Sequence, residues 1–166
     1  MNAGRWLRHL FATRWQTRRR FSAPVLGAIE TAIREAESQH AGEIRFAVET
    51  ALDLAQLWHD QRPRPRALQV FGQIGVWDTA ENNGVLIYLL LPDRVVEIIA
   101  DRGIAGRVPQ SEWDAVCREM EAHYAAGRFE EGSVAGVRAV GRLLARHFPH
   151  RKSAEGDQLP NQPVLL

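Results

Sequence analysis

The apolar stretch "VLIYLLL", residues 85–91, restricts the fold more than any other feature of the sequence. Apolar side chains at successive positions suit a strand that is buried on both faces, and such a strand needs helices on both sides of its sheet. Pro92 and Asp93 follow as turn residues, and "RVVEIIA" at 94–100 continues as a second strand. The stretch therefore predicts an antiparallel hairpin at the centre of a layered sheet.

Hydrophobic periodicity predicts one more strand and several helices. "EIRFAVE" at 43–49 alternates apolar with charged residues, which is typical of a half-buried strand. Apolar residues at helical spacing predict helices over 22–40, 111–127 and 132–148, and a helical segment over 52–74 that "RPRPR" interrupts. The strand at 43–49 needs a helical crossover to reach the next strand, so these two run parallel, whereas the hairpin needs only a turn. We therefore predict an α/β fold, a three-layer α/β/α sandwich around a small mixed sheet.

The same segments resemble the TPM domain family. The resemblance rests on "DTAENNGVLIYLLLPDRVVEIIADRGIAGRV" at 78–108, the tryptophan-bearing helix after it and "GRFEEGSVAGVRAVGRLLA" at 127–145, and it covers about residues 22–148. It implies a small α/β/α sandwich, divalent-cation binding as in some members, and the phosphatase activity proposed for a few. Other members resemble accessory factors of membrane complexes. "ADRGIAG" at 100–106 departs from the glycine-rich loop that many members have there.

Charge divides the 166-residue chain into an arm, a body and a tail. Residues 1–20 contain six arginines and no acidic residue, which leaves 15 basic and 20 acidic side chains for the rest. We assign residues 1–21 to a basic amphipathic arm, 22–149 to the TPM-like domain, and the polar, aperiodic residues 150–166 to a disordered tail. The arm lacks the apolar core of a secretory signal, and no apolar run is long enough to cross a membrane. We therefore expect a cytoplasmic protein, peripheral at the inner membrane where the arm contacts lipid.

The arm permits more than one partner. Its apolar residues fall mostly along one helical face with arginines beside it, which suits an anionic membrane surface. These residues are Trp6, Leu7, Leu10, Phe11 and Trp15. Packing against the domain or against a protein partner is the favoured alternative. The acidic body carries no recognition motif, which argues against nucleic acid.

Polar residues flank the predicted hairpin and form the candidate site. If the first two strands are parallel, the loop that enters the second strand and the loop that leaves the third lie at the same edge of the sheet. Carboxylate and amide oxygens are the ligands that Ca²⁺ and Mg²⁺ prefer, and no sulfur or histidine accompanies them. We predict Asp78, Glu81 and Asp101 as metal ligands, and Asn82, Asn83 and Arg102 as ligand-binding residues. The alternative is that these residues only form the turns that the hairpin needs.

Cys117 is the single cysteine of the chain. It rules out a disulfide framework within the chain and a zinc site built on paired thiolates. The residue falls on the apolar face of its predicted helix, so we expect a packed core thiol and not a nucleophile.

Two functions compatible with these residues remain open. The first is a TPM-like accessory domain that binds Ca²⁺ or Mg²⁺ and a protein partner near the membrane surface, without turnover of its own. The second is a metal-dependent phosphatase acting on phosphate monoesters, with the cation activating a water and Arg102 contacting the phosphoryl group. The sequence shows no recognisable nucleophile arrangement, which favours the first.

Overall fold

The computed structural model describes residues 3–149 and 158–166. The chain folds into eight described helices and four described strands. In chain order they are α1 (Ala3–Leu10), α2 (Arg14–Arg20), α3 (Ala23–Glu37), β1 (Glu43–Glu49), α4 (Leu54–Trp58), α5 (Pro63–Gln73), β2 (Gly84–Leu90), β3 (Val95–Ala100), α6 (Arg102–Ala105), α7 (Gln110–Ala125), α8 (Phe129–His147) and β4 (Val164–Leu165). Within the described ranges, no helix is both long enough and apolar enough to cross a membrane.

The strands form one mixed sheet in the order β3-β2-β1-β4. β1 runs parallel to β2, with Ile44 opposite Val85, and β2 pairs antiparallel with β3, with Leu86 opposite Ile99. The predicted parallel pair and the predicted hairpin are therefore both confirmed. β2 lies in the interior of the sheet and β3 at its edge, so every residue of β2 is buried, as its apolar sequence requires.

Helices cover both faces of the sheet, which confirms the three-layer α/β/α architecture. Val85, Ile87 and Leu89 of β2 join the core built with α3, α7 and α8. Leu86 and Leu90 join a second core on the opposite face, which contains residues of α4 and α5. Successive side chains of a strand point to opposite faces. One uninterrupted apolar run therefore supplies both cores.

β1 differs from its prediction as a half-buried strand. Its charged residues Glu43, Arg45 and Glu49 point to the second face of the sheet, yet each is at most 9% exposed. Alternation of apolar and charged residues normally marks a solvent-facing side. The prediction was wrong because α5 and the C-terminal residues of the chain cover this side and supply a partner for each charge.

The partners of the β1 charges come from α5, from the neighbouring strand β2 and from the C-terminal residues. Arg66 of α5 forms an ion pair with Glu49 at 2.7 Å, and the hydroxyl of Tyr88 donates to the same carboxylate. Arg45 donates to the main-chain oxygens of Pro160 and, at 3.2 Å, of Gln162. Glu43 accepts from the main-chain N–H of Leu159 at 3.2 Å. Buried charges persist when they are paired in this way.

The C-terminal residues 158–166 are ordered, so the prediction of a disordered tail was wrong for them. Val164 and Leu165 form β4, which pairs parallel with Ala47 and Val48 of β1. The main-chain N–H of Leu166 also donates to Val48 O at 2.8 Å. The polar composition of the segment hid its role, because its hydrogen bonds are made mostly by its backbone. Residues 150–157 of the predicted tail lie outside the described residues.

Deletion of residues 158–166 is expected to destabilise the whole domain. The deletion exposes the edge of β1 and leaves Glu43 and Arg45 without these partners, at a cost of about 1–3 kcal/mol for each polar group left unsatisfied. We expect the free energy of unfolding, measured by urea denaturation, to fall by roughly 4 kcal/mol. An unchanged denaturation midpoint would show that the segment only rests on the surface.

The basic arm forms two helices that meet at Thr13. Thr13 caps α2 in a capping box with Gln16, which ends any continuous helix through the arm. α1 packs against the domain, where Trp6 makes an edge-on contact with Trp58 at 6.4 Å between ring centroids. His9 is buried, and its Nδ1 accepts from the main-chain N–H of Leu52 at 3.0 Å. The inner side of α1 is therefore part of the folded domain.

Asp93, in the turn of the β2–β3 hairpin, holds α1 in place. Its carboxylate lies 2.8 Å from Arg5 Nε, 3.1 Å from Arg8 Nη2 and 3.3 Å from His9 Nε2. Burial by itself raises the pKa of Asp93, but the nearby His9 and the hydrogen bonds from Arg5 and Arg8 outweigh it and hold the pKa well below its ordinary value. The arm and the hairpin turn are therefore joined by a buried, ionised carboxylate, which we call the Asp93 clamp.

Substitution Asp93→Asn should destabilise the protein by about 2 kcal/mol, because it removes hydrogen bonds to a charged acceptor. The depressed pKa means that the contribution of Asp93 is complete above pH ~5 and is lost as the pH falls below about 4. The difference in free energy of unfolding between the wild type and Asp93→Asn should therefore be constant near neutrality and shrink in acid.

Asp60→Asn is the matched control. Asp60 also pairs with Arg5, at 3.1 Å, but its side chain is 77% exposed. Exposed pairs contribute little, so the control should change stability by at most about 0.5 kcal/mol. Equal effects of the two substitutions would contradict the Asp93 clamp.

Candidate functional site

The two loops that contain the predicted site residues meet at one edge of the sheet. Gly84 begins β2 and Asp101 directly follows β3, and the main-chain N–H of Asp101 donates to Gly84 O at 2.9 Å. Residues 81–83 and 101–103 therefore face each other across the end of the hairpin. We call these six residues the loop cluster.

Gly103 is required by the close approach of the two loops. Its N–H donates to Asn82 O at 3.0 Å, and a Cβ at this position would lie 2.5 Å from Asn82 O and 2.7 Å from Glu81 O. Asn82 has a positive φ of 52°, a conformation that asparagine tolerates better than most residues. The turn chemistry predicted as the alternative is thus present, and it positions the polar side chains of the loop cluster.

Arg102 and Asp101 connect the loops through their side chains. Arg102 Nε donates to Asn82 Oδ1 at 3.0 Å, and Asp101 Oδ1 accepts from the main-chain N–H of Arg102 at 2.7 Å. The second contact caps α6, a short helix that the sequence did not predict. The guanidinium of Arg102 is thereby held over the first loop.

Two acceptor oxygens of the loop cluster are buried without a hydrogen-bond partner among the described residues. They are Asp101 Oδ2 and Asn83 Oδ1. The other side-chain atom of Asn83, Nδ2, donates to Ala41 O, and its main-chain N–H donates to Thr79 Oγ1 at 3.0 Å. A buried acceptor without a partner is costly, so each of these oxygens calls for a water, an ion or another polar group beside it.

The three predicted metal ligands are placed differently. Asp101 and Glu81 both belong to the loop cluster, but the side chain of Glu81 is exposed and its main-chain oxygen makes the close contact with Gly103. Asp78 lies outside the cluster and is exposed in the turn after α5. Among residues 3–149 and 158–166, no three His, Cys, Asp or Glu side chains come together as a metal-ligand group. Cation binding by these residues therefore stays a prediction.

A cleft of about 320 Å³ opens beside the loop cluster. Its lining includes Glu81, Asn83, Gly103, Arg107 and His147. Arg107 stacks on the ring of Phe148 at 4.8 Å. Arg107 was not predicted as a site residue, because nothing in the sequence indicated the α6 turn that brings the chain back toward Asn83. Its distance of four residues from Gly103 would have been the only sequence signal.

Cys117 is half-buried and packs against the core, in agreement with its prediction. Burial and the carboxylates of Glu97 and Glu121 raise the pKa of this thiol to about 12. The hydrogen bond with the backbone of Ile98 lowers the pKa, but by less than burial and the two carboxylates raise it.

Cys117 should therefore resist alkylation in the native state. At pH 8 almost none of the thiol is ionised, because its pKa is raised. Alkylation is therefore slow, since the thiolate is the reactive form. Iodoacetamide labelling followed by mass spectrometry should be slow at pH 8 and should become fast in denaturant. Labelling of the native protein at the rate of free cysteine would contradict the packed position.

Comparisons with known proteins agree with this fold. A family model described as the TPM domain matches residues 18–143. The NMR structure of BA42 protein from the psychrophilic bacterium Bizionia argentinensis is similar at a TM-score of 0.75 and 32% identity, over 87% of this chain and 94% of that one. The N-terminal domain of a protein from P. gingivalis is similar at a TM-score of 0.61 and 25% identity, over 78% of this chain and 82% of that one.

A more distant structure shows the fold alone. The N-terminal domain of cg2496 protein from Corynebacterium glutamicum has a TM-score of 0.54 and 14% identity, over 82% of this chain and 79% of that one. No curated protein matches the chain. The family model and the BA42 structure confirm the family resemblance that the hairpin and the last two helices indicated.

Proposed function

We propose that this chain, which belongs to the TPM domain family, is a binding domain that holds a divalent cation at the loop cluster and does not hydrolyse a substrate. The observation that carries the proposal is a pair of buried oxygens, Asp101 Oδ2 and Asn83 Oδ1, for which the described part of the chain supplies no hydrogen-bond partner. They belong to two loops that the hydrogen bond from Gly103 to Asn82 holds together.

The chemistry of these atoms suits a hard cation. A carboxylate and an amide oxygen are ligands of Ca²⁺ and Mg²⁺, and Mg²⁺ commonly takes only one or two carboxylates and keeps several waters. Two side-chain oxygens from different loops therefore meet the needs of a hydrated ion without a third carboxylate. Asp101 and Asn83 would hold the cation, and its positive charge would stabilise their buried acceptor oxygens.

The donor set in this proposal differs from the set predicted from sequence. Asp78 is omitted because it lies in the turn after α5, where its main-chain N–H donates to Gly75 O at 3.0 Å. Arg102 contributes by holding Asn82, not as a ligand of the metal. The proposal therefore rests on Asp101 and Asn83, and the exposed side chain of Glu81 is not part of it.

A two-dimensional amide NMR titration of the ¹⁵N-labelled protein with CaCl₂ and then MgCl₂ tests the proposal. We expect saturable shifts confined to residues 81–84 and 100–104. Asp101→Asn should abolish them, and because asparagine is also a good helix N-cap, the substitution should leave α6 intact.

Asp78→Asn is the matched control, since it removes the same charge from a neighbouring turn. It should leave the titration unchanged. Loss of the shifts in both variants would favour the ligand set predicted from sequence, Asp78, Glu81 and Asp101, over the one proposed here. Shifts that persist in Asp101→Asn would contradict both sets. No saturable shift at millimolar metal would overturn cation binding altogether.

A hydrolysis assay distinguishes the proposed binding function from the phosphatase hypothesis. We expect no hydrolysis of p-nitrophenyl phosphate with Mg²⁺ or Ca²⁺ above the rate in buffer. Hydrolysis by the wild type that Asp101→Asn abolishes would replace the binding function with a metal-dependent phosphatase at the same site. The protein partner expected from the sequence stays a prediction.

A further inference from the structure

We propose that the outer side of the arm is a preassembled docking surface for an anionic membrane. This surface is formed by the exposed residues Leu7, Leu10, Phe11, Arg14, Trp15 and Arg18. It lies at the end of the sheet opposite the loop cluster, because the Asp93 clamp follows β2 whereas Asn83 precedes it. The inference does not depend on cation binding.

The apolar residues of the surface are exposed on both helices of the arm. Leu7, Leu10 and Phe11 are three and four positions apart at the end of α1, so they share one face. Phe11 is 71% exposed, and Trp15 at the start of α2 is 67% exposed. Large apolar side chains that are exposed as a group mark an interaction surface.

The charge of the arm selects the partner. Arg14, Arg18, Arg19 and Arg20 are exposed, and none of them forms an ion pair with a described residue. Arg19 lies over the ring of Trp15, at 5.5 Å from its centroid. Arginines beside exposed tryptophan, phenylalanine and leucine are typical of a helix that lies in the interface of an anionic bilayer.

The Asp93 clamp fixes the α1 part of the surface to the domain. Arg5, Arg8 and His9 attach the inner side of α1 to Asp93, while Leu7 and Leu10 point away from the domain. The arm therefore does not have to fold when it binds, which removes the ordering cost that a disordered peptide has. A bound domain would present its loop cluster away from the bilayer.

Co-sedimentation of the full chain with vesicles tests the inference. We expect binding to vesicles of phosphatidylcholine with phosphatidylglycerol, little binding to pure phosphatidylcholine, and weaker binding as salt is raised. Arg14→Gln/Arg18→Gln should lower the partition coefficient on the order of 20-fold, at about fivefold for each arginine. Phe11→Ser should lower it by about tenfold or more.

The control variants change similar side chains elsewhere. Arg118→Gln/Arg142→Gln removes two exposed arginines from α7 and α8, and Leu68→Ser removes an exposed leucine from α5. Both should bind the anionic vesicles like the wild type. Near-ultraviolet circular dichroism should show an intact fold in every variant, since only exposed side chains are changed.

Three results would overturn the inference. The first is that the wild type does not sediment with anionic vesicles. The second is that the arm variants bind as well as the control variants. The third is that sedimentation equilibrium shows a dimer that Phe11→Ser dissociates, since a second copy of the chain would then cover this surface.

Discussion

The burial of the charged side of β1 is the constraint on which the rest of the structure depends. Glu43, Arg45 and Glu49 face the second core, where an unpaired charge would be strongly destabilising. Each finds a partner from a distant part of the chain, which fixes α5 on the sheet through Arg66 and fixes the C-terminal residues beside β1. The sheet thereby gains a fourth strand, and β1 lies in its interior and not at its edge.

The two ends of the hairpin have different roles as a consequence of the sheet topology. At one end, the loops before β2 and after β3 approach so closely that only glycine fits at position 103. At the other end, the turn between β2 and β3 carries Asp93, which holds the arm. A single pair of antiparallel strands therefore positions both the proposed cation site and the proposed membrane surface, on opposite sides of the domain.

The candidate site shows that turn chemistry and binding chemistry are not alternatives. Asn82 has the backbone conformation and Gly103 the absent side chain that the turns need. Asn83 and Asp101 in the same turns retain buried oxygens that find no hydrogen-bond partner within 3–149 and 158–166. The sequence predicted the meeting of these loops, because parallel pairing of β1 with β2 follows from the length of the crossover. It did not predict which carboxylate would belong to the site, since Asp78 and Asp101 are equally polar and differ only in how the loops fold.

By itself, the sequence determined the layered architecture, because the uninterrupted apolar run "VLIYLLL" suits a strand with a core on each face. It also carried the family resemblance, through the segments at 78–108 and 127–145. Only the tertiary structure decided where the charges lie. Periodicity reports that Glu43, Arg45 and Glu49 are polar, but not that Arg66 and the backbone of residues 159–162 come to cover them. Whether a charged side chain faces water or a partner depends on contacts between residues far apart in the chain, and such contacts exist only once the sheet has formed.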